Sequence, residues 1–273
     1  MKSIESYQNQ WIRRLVRLSN SSAFRYEQRQ YVVEGSIIMD GSPLNLLDFL
    51  FVPEAIKSDP KLQSFLAAVD PSKICYVAPS LTKKISTLVH SQELIGIFNM
   101  PPRIPLDTVQ SDCIVLDRVQ DPGNVGTIIR TAAAAGIPHL LLSSGCADVY
   151  MPKVIRAAMG SHFQVNLHTH VDLMQWAKHY SYPIWLTGLF AEAVNLYQLD
   201  LCKAEAAAWI LGNEGAGISP ELLGVITKNK GVKVKIPIVT KIESLNVAVA
   251  ASVCIFEQLR QRTVRKRPGK SPK

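Results

Sequence analysis

The chain has 273 residues, 47% hydrophobic and 19% charged, a globular composition that excludes extensive disorder. Its formal net charge is +8, yet seven cations follow Glu257 without an acid, and the rest holds 23 cations against 22 acids. The excess charge is therefore a basic tail, which suits either solvation or contact with nucleic acid.

No run approaches ~18 uninterrupted apolar residues, so no transmembrane helix is expected. The start, MKSIESYQNQWIRR, has neither an apolar core nor a small-residue cleavage site, so no secretory signal is expected either. Five scattered cysteines (Cys75, Cys113, Cys146, Cys202 and Cys254) form no C-x-x-C pair. Reduced thiols, a cytoplasmic location and no metal are the expectations.

The N-terminal stretch interleaves Arg13, Arg14, Arg17, Arg25 and Arg29 with Trp11, Phe24, Tyr26 and Tyr31. That mixture suits phosphate contact and base stacking, and equally an ordinary amphipathic helix pair. Helical patterns fall at Ile12–Leu18, Lys61–Val69 and Leu81–Val89. Strand patterns fall at Tyr31–Glu34, Leu50–Val52, Ile74–Val77 and Leu94–Phe98. Pro101, Pro102 and Pro105 then break any helix, which predicts a linker. Beyond it, apolar strands at Cys113–Leu116, His139–Leu142, Ile184–Leu186, Ala207–Leu211 and Val232–Ile236 alternate with helices. The helices are expected at Val125–Ala135, Pro152–Met159, Leu173–His179, Pro220–Thr227 and Asn246–Arg262. This alternation predicts an α/β fold with a parallel sheet covered on both faces. The expected domains are residues 1–100, a linker at 101–111, a second domain at 112–262 and the tail at 263–273.

Ligands of open α/β sheets bind beyond the carboxyl ends of strands, and three polar loops lie at such ends. In LDRVQDPGNVGTIIRTAAAAGI (116–137), Asn124 is a candidate N-cap and Gly136 a candidate C′ residue. Gly126 and Arg130 share a helical face there, which suits phosphate binding or a solvent-facing arginine on a packing helix. In WILGNEGAGISPELL (209–223), Gly212, Gly215 and Gly217 surround Glu214. That carboxylate would repel phosphate and suits a hydroxyl, an amine or a cation, although a plain tight turn has the same composition. In VKIPIVTKIESLNVAVA (234–250), Ser244 is a candidate cap, and Glu243, Ser244 and Asn246 precede a long helix.

Taken together, these segments resemble the SpoU/TrmH family of RNA ribose 2′-O-methyltransferases, in the SPOUT superfamily. The motifs that carry the resemblance are N-x-G-x-x-x-R at Asn124, Gly126 and Arg130, G-N-E-G-A-G at Gly212 to Gly217, and I-P-I-x₄-E-S-L-N-V-A-V-A from Ile236 to Ala250. Their order and spacing agree over residues 112–262. More weakly, QYVVEG (30–35) and SQELIGIF (91–98) resemble the ribosomal-protein-like substrate-binding domain that many members carry. The third motif departs from the common pattern, which has methionine and glycine where this chain has Ile238 and Thr240. Ile238 keeps an apolar wall; Thr240 gives up backbone freedom.

The resemblance implies a C-terminal parallel sheet with a trefoil knot, the SPOUT fold, preceded by a small α/β substrate-binding domain. It also implies a homodimer acting on RNA, ribosomal RNA in preference to transfer RNA, with S-adenosyl-L-methionine as cofactor. Position by position, it assigns Leu211, Gly212, Gly217, Ile236, Ile238 and Leu245 to the cofactor pocket. Arg130, Glu214, Ser244 and Asn246 would stand near the ribose, with Asn124 orienting it. A catalytically inactive RNA-binding relative would not need Arg130, Glu214 and Asn246 together. A dinucleotide enzyme should show G-x-G-x-x-G after Cys113–Leu116, where the chain reads DRVQDPGNVGT.

Overall fold

The computed structural model describes residues 3–85, 93–228, 231–239 and 243–265. In chain order the first elements are β1 (Ser3–Ile4), α1 (Gln10–Asn20), α2 (Ser22–Gln28), β2 (Gln30–Glu34) and β3 (Leu47–Pro53). There follow α3 (Pro60–Leu66), β4 (Ile74–Val77), α4 (Pro79–Ile85), β5 (Ile95–Asn99), β6 (Cys113–Leu116) and α5 (Pro122–Ala134). Next come β7 (His139–Leu142), α6 (Pro152–Ala158), β8 (Asn166–His168), α7 (Leu173–His179), β9 (Ile184–Thr187) and β10 (Val194–Asn195). The last are β11 (Ala208–Leu211), α8 (Pro220–Lys228), β12 (Gly231–Lys235) and α9 (Val247–Arg265).

Two compact units result: Met1–Pro102 with Asp148–Phe163, and Arg103–Ala147 with Gln164–Lys273. The first holds a mixed sheet in the order β1-β4-β3-β5-β2. Helix α1 packs there because Ile12, Leu15 and Leu18 recur at helical spacing and are fully buried. Asn9 starts it by accepting the Trp11 N–H at 2.9 Å. The interleaved aromatics pack against this core, with Tyr31 buried and Trp11, Phe24 and Tyr26 half-buried. Trp11 lies flat on Phe49 at 4.2 Å, Arg17 covers Phe24 at 3.8 Å, and Tyr31 is buried against Tyr150. Of the five arginines, Arg14 pairs with Asp48, Arg29 donates to the Pro101 carbonyl, and Arg25 is buried.

Residues 148–163 lie within the span expected of the second domain, yet they are grouped with the first unit. Asp148 explains why. Arg25 donates to its Oδ2 from Nε at 2.9 Å and Nη2 at 2.5 Å, and Tyr150 N–H donates to its Oδ1 at 2.9 Å. Breaking a buried pair leaves an uncompensated charge. Asp148→Ala should therefore cost about 3 kcal/mol in urea unfolding, whereas a change within experimental error would show the pair to be inessential.

The second unit holds a seven-stranded, wholly parallel sheet in the order β10-β12-β9-β11-β6-β7-β8. Every residue of β6 and β11 is buried, as the continuous apolar runs predict. Helix α9 is tied down by polar contacts as well. Trp209 Nε1 donates to Gln258 Oε1, Gln258 Nε2 donates to Asp112 Oδ1, and Arg262 pairs with the same carboxylate. Thr131 and Ser252 hydroxyls, 3.2 Å apart, join α5 to α9. Because β12, β9, β11 and β6 are neighbours and parallel, the loops that follow them open at one edge of the sheet. No described helix is long and apolar enough to cross a membrane.

Candidate functional site

The loop after β6 begins at Asp117, a buried carboxylate. Its Oδ2 accepts the Ser219 N–H at 2.7 Å and its Oδ1 the Ser143 hydroxyl at 3.3 Å, which ties three strand ends together. Helix α5 starts one turn earlier than the sequence predicts. Asp121 caps it, accepting the Asn124 N–H at 2.8 Å, and Pro122 supplies a pre-set first residue. Asn124 is thus not the cap, and its side chain is free for the site. At the other end, Gly136 has φ +72°, as a C′ residue should.

That side chain joins the three loops. Asn124 Nδ2 donates to Glu214 Oε1 at 3.0 Å, and Asn124 Oδ1 accepts from Asn246 Nδ2 at 2.9 Å. Glu214 also accepts the N–H of Gln120 at 3.2 Å and of Asp121 at 3.1 Å. Asn246 Oδ1 caps α9 through the N–H of Ala248 and Val249. The cap is therefore Asn246 and not Ser244; Ser244 instead lines the cavity described below, exposed.

Burial by itself would push the Glu214 carboxyl up. The donors Asn124, Asp121 and Gln120 and its own backbone outweigh that, and hold it below the ordinary carboxylate range. The contribution of a lowered carboxyl is complete at neutral pH and is lost as pH falls through its lowered value. Glu214→Gln places an amide against three donors. Its melting temperature should fall below wild type at pH 7, and the gap should close in acid, below the usual glutamate range. A gap unchanged in acid would show that the charge is not what the donors hold.

The loop after β11 closes on itself. Asn213 and Gly217 exchange backbone hydrogen bonds of 3.0 and 2.9 Å. Asn213 Oδ1 accepts the N–H of Gly215 and Ala216, while its Nδ2 donates to the Arg118 carbonyl at 2.8 Å. The sequence reading passed over Asn213; an asparagine ahead of glycines was the available signal. Gly217 has φ +67°. A Cβ on Gly212 would lie 2.2 Å from the Gly217 carbonyl carbon, so only glycine fits there.

The loop after β11, with those after β9 and β12 and the start of α9, lines an open cavity of about 690 Å³. Leu211, Gly212, Gly217, Ile236, Ile238 and Leu245 all line it, as do Glu214 and Asn246. Phe190, which the sequence reading missed, adds an aromatic wall after β9. Asn124 and Arg130 are not among the lining residues. Arg130 stands exposed on α5 and makes no hydrogen bond or ion pair with the described residues, while Gly126 is buried. Thr240 lies outside the described residues. Among the described residues no cluster of three or more His, Cys, Asp or Glu could hold a metal ion.

Loops gathered around a cavity at the carboxyl edge of a parallel sheet define an α/β ligand-binding domain. A family model described as the SpoU rRNA Methylase family matches residues 112–256. The chain is 31% identical over 271 residues to the 23S rRNA (guanosine(2553)-2′-O)-methyltransferase RlmP of Bacillus subtilis, covering 94% of this chain and 98% of that one. It is 32% identical over 238 residues to mouse mitochondrial rRNA methyltransferase 3, covering 67% of this chain but only 56% of that protein's length. The crystal structure of an AdoMet-bound rRNA methyltransferase from Sinorhizobium meliloti superposes with a TM-score of 0.81 at 27% identity, covering 95% of this chain and 97% of that one. The chain belongs to the SpoU rRNA methylase family.

Proposed function

We propose that this protein transfers a methyl group from S-adenosylmethionine to a ribose 2′-hydroxyl in RNA, with ribosomal RNA the first choice and transfer RNA the second. One observation carries the reading: Glu214, Asn124 and Asn246 form a hydrogen-bonded chain beside a glycine-walled cavity. The names of the relatives agree with it. The cavity suits the cofactor, because Gly212 and Gly217 leave backbone bare at one wall and Leu211, Ile236, Ile238 and Leu245 give apolar ones. Glu214 and Glu243 supply negative charge at a cavity that would hold a sulfonium.

When bound, the cofactor supplies a methyl carbon already activated by a sulfonium leaving group, so the protein needs no general acid. The chain's own residues then align the ribose and manage one proton. Alignment of this kind can supply roughly 7–11 kcal/mol. Arg130 holds an RNA phosphate and stabilises the developing alkoxide, with action as a general base the second choice. Glu214 and Asn246 orient the ribose through Asn124, with Ser244 beside them, and solvent or phosphate accepts the proton.

The same reading extends to the whole chain. The second domain is read as a parallel sheet with a C-terminal trefoil knot, and residues 1–100 as the RNA substrate-binding domain. The protein is read as a cytoplasmic homodimer that binds neither metal nor membrane. Titration calorimetry of the full chain with S-adenosylmethionine, followed by transfer of labelled methyl to bulk ribosomal and transfer RNA, tests it. Binding with label in ribosomal RNA is expected; label in transfer RNA alone would reverse the substrate order, and no binding would remove the cofactor assignment.

A further inference from the structure

Among the described residues Arg29, Arg118, Met159 and His170 adopt a left-handed backbone without being glycine. Arg29 and Met159 cap the ends of α2 and α6, where that conformation is common. Arg118, at φ 57°, lies instead in the loop between β6 and α5, the loop that also gives two N–H groups to Glu214. Both of its backbone groups are fixed there. Its N–H donates to Ser143 Oγ at 2.9 Å, and its carbonyl accepts from Asn213 Nδ2 at 2.8 Å. A glycine would meet this geometry without strain.

The side chain must therefore be what the position keeps. Gly145 clears its stem, since a Cβ there would lie 3.4 Å from Arg118 Cγ. Arg118 Nε stands 3.5 Å from Asp117 Oδ1, and the side chain is 41% exposed. Asp117 already has Ser219 and Ser143 as partners, so it does not depend on the arginine. We propose that Arg118 is a second RNA-binding cation, contacting a backbone phosphate at the carboxyl edge of the sheet. This rests on the reading of the protein as an RNA methyltransferase. One loop then holds both a phosphate, at Arg118, and the group that orients the ribose, at Glu214.

Filter binding of bulk ribosomal RNA across a salt range, with melting curves and cofactor titration, tests the proposal on Arg118→Gly and Arg118→Lys. Arg118→Gly should melt no lower than wild type, and about 2 °C higher if strain is relieved. Its cofactor affinity should be unchanged, its RNA affinity about tenfold weaker, and its salt slope shallower by roughly one ion. Arg118→Lys should keep the wild-type slope. Wild-type RNA affinity and slope in Arg118→Gly would overturn the proposal, and a lower melting temperature with them would make Arg118 a partner of Asp117 only. If the wild-type protein bound cofactor but no ribosomal or transfer RNA, the functional reading would fail, and this proposal with it.

Discussion

Gly212→Ala is expected to abolish binding of S-adenosylmethionine and to destabilise the second unit. The added Cβ would lie 2.2, 2.3 and 2.5 Å from the Gly217 carbonyl carbon, the Ile218 nitrogen and the Gly217 oxygen. All three are backbone atoms, and the paired hydrogen bonds between Asn213 and Gly217 hold them in place. No side-chain rotation can relieve the clash, so the loop must open or β11 must shift. Overpacking of this kind costs about 3 kcal/mol. Gly215→Ala is the control, because its nearest neighbour would be Asn213 Oδ1 at an ordinary 3.8 Å. Urea unfolding and calorimetry should separate the two variants. Wild-type cofactor affinity in Gly212→Ala would mean that this loop is not the pocket wall.

Arg130→Ala should lower methyl transfer about 10³-fold, the usual loss when one stabiliser of developing charge is removed. Cofactor affinity should stay within a few-fold, since Arg130 is not among the residues lining the cavity. Melting should hardly change, because the side chain is exposed and unpaired with the described residues. Arg130→Lys should also be poor, as a point charge cannot replace a planar fork on phosphate. Single-turnover transfer to ribosomal RNA checks each value. Turnover near wild type in Arg130→Ala would leave the arginine no role in the chemistry.

Much of the second unit was legible because its central strands are buried on both faces. Cys113–Leu116 and His139–Leu142 have the predicted bounds; the first holds no strongly polar residue and the second only His139, at its start. The strands that escaped notice, Ser3–Ile4, Asn166–His168 and Val194–Asn195, all stand at sheet edges. An edge strand needs no continuous apolar run, so it leaves no pattern. Helix Ser22–Gln28 entered only as half of the alternative helix pair, without bounds, because its buried residue is Arg25, which depends on Asp148, 123 positions away. Contacts at that separation have no local signature. The caps were misplaced for a related reason. Asp121 and Asn124 can both cap α5, and Ser244 and Asn246 can both cap α9; only packing between the loops decides which side chain is left for the site.

The three loops could be read as a shared site because parallel strands open at one edge, whatever their order. Their hydrogen bonds could not be read, since Glu214, Asn124 and Asn246 meet only when β11 lies beside β6 and α9 against α5.

The atom proposed to be attacked is a ribose 2′-oxygen. The most direct measurement is to incubate the full chain with methyl-labelled S-adenosylmethionine and unmodified ribosomal RNA, digest the RNA to nucleosides, and identify the labelled product by mass spectrometry. A single labelled 2′-O-methylnucleoside is expected, with its label lost in Arg130→Ala. Label on a base, or undiminished label in that variant, would contradict the proposal.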